Sequence, residues 1–296
     1  MNGQIEQLLL GTDFSEASGH ALARAIALAR EHRLPLQLVH ALGDGDWLAR
    51  LARLTQGQFT EEVLRRSAGS RLARLRDACL KQGVATVDYE VVSGSLARVL
   101  PELVQDHGRC LFVMGAQGGG GLRGHLLGST ADRVLRAGVP PVLLARREAL
   151  RWRRVLLATD FSPSSAQAAA LGAWLAPSAD HYLLHANEPA LDVELAAASA
   201  APETLRAYHA AAADQANQAL EAFQRRLPAP PASLTRAVRE GPPAAVLSAF
   251  VEEAEIDLVV LGSRPRARWE ANLLGSTALF ATNRLTCDVL LVPGEG

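Results

Sequence analysis

The chain has almost no lysine. Lys81 stands alone among 30 basic residues, so every other one is an arginine. Gln82 follows it, which leaves no GK[ST] phosphate loop anywhere, and its helical setting denies it the strand position of a kinase lysine. Walker-type ATPases and protein kinases are excluded. Pyridoxal chemistry would depend on this same lysine, beside a helix-ending Gly83 and without a phosphate-binding glycine loop nearby. Cysteine is scarce too: Cys79, Cys110 and Cys287 are far apart and form no CxxC, which argues against a disulfide framework or a zinc knuckle and fits a reducing compartment. An excess of one charge is also missing. The formal net charge of −1 leaves no global field to draw the chain onto nucleic acid or anionic lipid. No apolar run approaches the ~20 residues of a membrane span, and MNGQIEQLLLGTDFSEA has no basic region before its short apolar stretch. The expectation is a cytoplasmic protein with neither a nucleic-acid nor a membrane partner. GxSxG, HExxH and a cysteine with recognisable triad partners are absent as well, so no catalytic residue is assigned.

What is present is enough for a real core. Apolar residues make up 49% and charged residues 21%, and 296 residues correspond to about two domains of ~100–150 residues. Self-comparison explains the length. LLLGTDFS at 8–15 recurs as VLLATDFS at 155–162, LLGSTA at 126–131 recurs at 273–278, and PVLLA at 141–145 recurs as DVLLV at 288–292, all at an offset of 147. The chain is two copies of one module. Between them lies RREALRWRR, 146–154, read as a solvated linker, with an anion or partner site as the other reading. The domains are therefore expected at 1–148 and 149–296.

Within each copy short apolar runs alternate with segments of period 3.6, the pattern of an α/β fold with a parallel sheet and crossover helices. In the first copy strands are expected at 7–12, 36–41, 85–92, 110–115 and 141–145, with helices near 15–32, 58–82, 95–107 and 128–138. In the second, strands are expected near 154–159, 181–186, 233–239, 256–262 and 288–292. Ser15 and Ser95 are expected to cap helices, Gly83 to end one, and Ser162-Pro163 to supply a cap followed by proline at the first helical position.

After the fourth strand comes AQGGGGLRGHLLGST, leading into a helix that starts near Gly128. In such sheets ligands collect beyond the carboxyl ends of the strands, and a helix N-terminus there attracts anions. Gly115, Gly118 and Gly128 let backbone amides approach an oxyanion, and Ser129 and Thr130 add hydroxyl donors. The other reading is a surface loop whose glycines serve turn geometry. The literal GxGxxG at 119–124 is no dinucleotide fingerprint, because it follows the fourth strand rather than the first and has no acidic strand end about twenty residues on. Asp13 and Asp160 end the first strand of each copy, where a carboxylate can accept from ribose hydroxyls or equally make the turn and cap the next helix. His40 and His185 lie at matched strand ends without a partner at metal spacing and read as strand-end histidines.

LLLGTDFS, the passage GVATVDYEVVSG and above all Gly115-x2-Gly118-x9-Gly128-Ser129 resemble the universal stress protein family in its tandem two-domain form. The resemblance implies, in each half, a five-stranded parallel sheet of order 3-2-1-4-5 flanked by helices, with the halves associated as an intramolecular pseudo-dimer much as separate members form a homodimer. It implies a stress-response protein that binds an adenine nucleotide, ATP with Mg2+, as a switch or scaffold for a protein partner left unidentified, with at most weak ATPase activity. By position in the motif it puts Asp13 near ribose, Thr12 and Ala41 around adenine, and Met114 with Gly115 along the sugar. It puts Gln117, Gly118, Gly128, Ser129 and Thr130 around the triphosphate and its magnesium. In the second copy Asp160, Gly262, Gly275, Ser276 and Thr277 remain as the parts of a second site. The middle glycine position there holds Pro265, which has no N–H to donate and fixes φ. The alternatives are an interaction protein that binds no nucleotide, and a true transferase or hydrolase, which the missing catalytic set disfavours.

Overall fold

The structure, a computed structural model, describes residues 5–43, 49–50, 53–56, 58–117, 127–138, 140–147, 151–188, 201–228, 230–263 and 274–294. The chain forms two compact units. The first is built on Met1–Arg151 and includes Thr282–Asp288, and the second is built on Trp152–Pro265 with Gly275–Ala281 and Val289–Gly296.

In chain order the first repeat contains β1 (Gln7–Gly11), α1 (Glu16–His32), β2 (Leu36–Ala41), α2 (Glu61–Lys81), β3 (Val87–Val92), α3 (Leu96–His107), β4 (Cys110–Gly115), α4 (Ser129–Ala137) and β5 (Val142–Ala145). The second contains β6 (Arg154–Ala158), α5 (Pro163–Leu175), β7 (Asp180–Asn187), α6 (Pro202–Arg226), β8 (Leu234–Glu240), α7 (Pro243–Glu253), β9 (Leu258–Ser263), α8 (Ser276–Arg284) and β10 (Asp288–Pro293). Strand order is β3-β2-β1-β4-β5 in the first and β8-β7-β6-β9-β10 in the second, the expected 3-2-1-4-5 twice over. Every registered pairing within the two sets is parallel.

Burial follows strand position, as it must when helices cover both faces. CLFVMG in β4 is buried along its whole length, whereas the edge strand VDYEVV in β3 exposes Asp88, Tyr89 and Glu90. Charged residues on an edge discourage pairing with another chain. Small side chains bring α1 down onto the sheet: Ala21, Ala25 and Ala29 are buried. Helix starts follow the expected chemistry. Ser15 accepts from Ser18 N–H and Ser162 from Ser165 N–H, with Pro163 in the first turn of α5. Ser95 occupies the expected N-cap position of α3, where its carbonyl accepts from Arg98 and Val99 N–H while its side chain makes no cap bond. Among the described residues no helix is long and apolar enough to cross a membrane.

The linker is solvated in part: Arg147, Arg151 and Arg153 are exposed, as expected, while Arg146 and Arg154 are half-buried and the main chain at both ends is held. Arg146 and Arg147 donate main-chain N–H groups to Asp288, at 2.8 and 3.4 Å. Past the undescribed residues 148–150, Trp152 is buried, and the N–H groups of Arg153 and Arg154 donate to Asp257 at 2.8 and 3.1 Å.

Candidate functional site

The residues after β1 form a tight, self-bonded turn. Thr12 continues the strand ladder by donating its N–H to Val39. Its hydroxyl accepts from Phe14 N–H at 3.0 Å and donates to Ser18 Oγ at 3.1 Å, and Ser18 Oγ donates to the Ser15 carbonyl at 2.8 Å. Asp13 Oδ1 accepts from Ser15 N–H at 3.0 Å. Phe14 sits at φ 62°, a left-handed conformation that is unfavourable for a bulky residue by about 1–3 kcal/mol and is held by these bonds. His40, at the end of β2, donates from Nδ1 to the Thr12 carbonyl at 2.8 Å, and its ring lies 4.6 Å from that of Phe14. The guanidinium of Arg71, reaching from α2, covers the Phe14 ring at 3.8 Å from its centroid.

β4 brings up the second wall. Met114 is buried, and Gly115 lies so close to the first turn of α1 that a Cβ there would stand 2.7 Å from the Ala17 carbonyl oxygen. This glycine is demanded by helix–strand packing whether or not a ligand is present. Beyond half-buried Gln117 the loop 118–126 lies outside the described residues, and Gly118 with it. The chain returns at Gly128, whose N–H donates to the Ala116 carbonyl at 2.8 Å and closes the base of the loop. Gly128 is the N-cap of α4 and supplies no side-chain cap, and the next residues, Ser129 and Thr130, are exposed. Uncapped first-turn amides beside two hydroxyls attract an anion by ~0.3–1 kcal/mol through the helix dipole alone. Half-buried Ala41 completes the edge from β2, where it pairs with Val92. The expected residues other than Gly118 thus lie at the carboxyl edge of β1, β2 and β4 and at the start of α4.

The second unit repeats the turn. Thr159 Oγ1 accepts from Phe161 N–H at 2.9 Å, Asp160 Oδ1 accepts from Ser162 N–H at 3.0 Å and from the Ser162 hydroxyl, and Phe161 sits at φ 65°. His185 donates from Nδ1 to the Thr159 carbonyl at 3.0 Å. A Cβ on Gly262 would stand 2.5 Å from Ser164 C and Ser165 N, the same close approach as at Gly115. Gly275, Ser276 and Thr277 start α8, and Pro265 lies outside the described residues. The ring over the turn differs. Phe161 meets the edge of Phe223 from α6, at 6.1 Å, where the first unit offers Arg71.

Two contributors were missed from sequence. Arg71 lies beside the buried positions Ala68 and Leu72 of α2, and a cation next to that stripe was the available signal. The tie from each histidine to the threonine carbonyl was legible only as a repeated strand-end histidine. Burial, the first cause at each, pushes the Cys79 and Cys110 thiols to about 11 and Cys287 to about 12, so none offers a reactive thiolate. Among the described residues no cluster of three His, Cys, Asp or Glu side chains could hold a metal.

Comparison with known proteins agrees over the whole length. The model of the Universal stress protein family matches residues 4–146 and again 151–293. The Universal stress protein Rv2623 of Mycobacterium tuberculosis is 30% identical over 280 residues, covering 91% of this chain and 90% of the relative. Universal stress protein YxiE of Bacillus subtilis is 27% identical over 146 residues, covering 47% of this chain and 98% of the relative. Among solved structures, a universal stress protein from Archaeoglobus fulgidus superposes with a TM-score of 0.68 at 18% identity, covering 98% of this chain and 99% of that one.

Proposed function

The chain belongs to the universal stress protein family, and we propose that this member is a cytoplasmic stress-response protein whose first unit binds ATP with Mg2+ and acts as a nucleotide-dependent switch or scaffold. The observation that carries this reading is the start of α4: an N-cap without a side-chain cap, followed by Ser129 and Thr130, at the carboxyl edge of β4. That is what a polyphosphate requires of a protein. In this reading Asp13 accepts from the ribose hydroxyls, Thr12 and Ala41 border adenine, and Met114 and Gly115 follow the sugar. Gln117, Gly118, Gly128, Ser129 and Thr130 surround the phosphates. No acidic cluster is needed, because the magnesium ion would be held by the phosphate oxygens with a hydroxyl such as that of Ser129. ATP turnover is expected to be slow or nil, since the chain offers no lysine and no evident water-positioning carboxylate to the γ-phosphate.

A second reading, an interaction protein without nucleotide, draws on Gly115 and Asp13, which both have sufficient structural work in packing and in the turn. Calorimetric titration with Mg-ATP separates the two. The ATP reading expects saturable binding that weakens about 10–100-fold in Asp13→Asn, a substitution that keeps the oxygen accepting from Ser15 but removes the charge. Absence of binding at millimolar ATP would leave the interaction reading.

A further inference from the structure

The segment Thr282–Asp288 belongs to the second repeat by sequence and to the first unit by contact. Its last residue is deeply held. Asp288 Oδ2 lies 3.0 Å from Arg24 Nη2, and the two side chains are 1% and 2% exposed. Asp288 Oδ1 accepts from the N–H groups of Arg146 and Arg147. The Arg146 guanidinium donates to the Thr282 carbonyl, while Arg147 donates through Nε to the Thr286 carbonyl and through Nη2 to its hydroxyl, each at 3.0 Å.

The repeat makes this ion pair informative. Helices α1 and α5 align without a gap, since Thr12 meets Ser18 just as Thr159 meets Ser165. Arg24 therefore corresponds to Leu171, and the offset of 147 makes Asp288 correspond to Pro141. Each repeat carries one half of the pair and an uncharged residue in place of the other. A first repeat closed by a copy of itself would set Arg24 against proline, and a second repeat closed by a copy of itself would set Asp288 against leucine. Either pairing buries a charge without its counterion, which is far costlier than burying the matched pair.

We propose that Arg24 and Asp288 are a key that commits the first unit to one occupant, the Thr282–Asp288 segment of this chain, and rejects a second copy of the first repeat. The test uses the full chain in urea unfolding, with amide hydrogen exchange in α1 as a local readout. Asp288→Asn keeps an oxygen for Arg146 and Arg147 while removing the charge, Asp288→Pro installs the residue of the first repeat, and Arg24→Leu installs that of the second. Each single change is expected to lower the unfolding midpoint and to speed exchange in α1. The double variant Arg24→Leu/Asp288→Asn is expected to unfold at a higher urea concentration than either of its parent singles. If a single variant fails to fold, recovery of a folded double variant supports the key in the same way. Unchanged midpoints in Asp288→Asn and Arg24→Leu, or losses that simply add in the double variant, would overturn it.

Discussion

The two repeats build the same turn after their first strand and place different chemistry over it. Thr12 and Thr159, Asp13 and Asp160, Phe14 and Phe161, and His40 and His185 make matching bonds and contacts. Above the aromatic ring the first unit sets a guanidinium and the second a buried phenylalanine. The difference separates what the fold needs from what a ligand would need. The turn bonds and the close approach at Gly115 and Gly262 recur in both units and have a cause in folding, while the cation of Arg71 and the glycine where the second loop has Pro265 are peculiar to the first. The start of α4 carries the proposed nucleotide site, and these asymmetric parts are what would distinguish the first site from the second.

The largest expected effect lies in the second unit. Phe223 is 1% exposed, and Phe223→Ala should cost about 3–5 kcal/mol in urea unfolding. Arg71→Ala, at the exposed counterpart over Phe14, should stay within about 0.5 kcal/mol. Equal losses would mean that the two side chains share one packing role and would dissolve the contrast. Next come the glycines shared by both units. Gly115→Ala and Gly262→Ala should each destabilise by about 1–3 kcal/mol, because a Cβ would stand 2.7 and 2.5 Å from main-chain atoms of α1 and α5. A harmless Gly262→Ala beside a damaging Gly115→Ala would show that the first glycine serves something other than packing.

A third contrast concerns pH. His181 on β7 occupies the register position that Leu36 holds on β2, since each pairs with the second residue of the first strand of its repeat, Val155 and Leu8. It is 1% exposed, and among the described residues neither ring nitrogen makes a hydrogen bond of good geometry, although the backbone at Ala179 and Ser233 favours its charged form against the larger effect of burial. Burial, the main cause, lowers its pKa below the ordinary 6.5. The unfolded chain thus takes up this proton before the folded one does, so stability is steady above pH 6.5 and falls as the pH drops below it. His181→Leu should remove that acid sensitivity and stabilise the second unit by about 1–3 kcal/mol at neutral pH, as unpaired buried nitrogens disappear. Denaturation at pH 7 and pH 5 reads both, and an unchanged pH dependence would contradict this assignment. The smallest expected effect is on affinity: Arg71→Ala should weaken Mg-ATP binding about 3–5-fold through loss of one partly solvated cation. No change would confine Arg71 to its contact with Phe14.

The strands and helices were legible because their signals are local and repeated, whereas strand order came from the resemblance to the family. Buried parallel strands read as continuous apolar runs, and self-comparison doubled each reading. Strand and helix ends moved by up to three residues, as with β3, which begins at Val87 rather than 85, and α2, which begins at Glu61 rather than 58. The site was legible where a motif forces geometry, in TDFS and in the glycines, but its interpretation was not. Nothing in the sequence told that a Cβ at Gly115 would strike Ala17, since this depends on how closely α1 descends on β4. Arg24, Arg71 and Arg146 were invisible for the same reason. An arginine in a helix or a linker reads as solvated until the tertiary fold brings Asp288, Phe14 or a carbonyl to meet it.

The central claim is that one of the two sites, the first, is a nucleotide site. Calorimetric stoichiometry tests it most directly, with Mg-ATP titrated into the wild-type chain and into Gly118→Val. The account predicts one site per chain in the wild type and none in the variant, with a thermal shift corresponding to ~2.7 kcal/mol at 100 times Kd for the wild type alone. Two sites per chain, or one site that survives Gly118→Val, would contradict it.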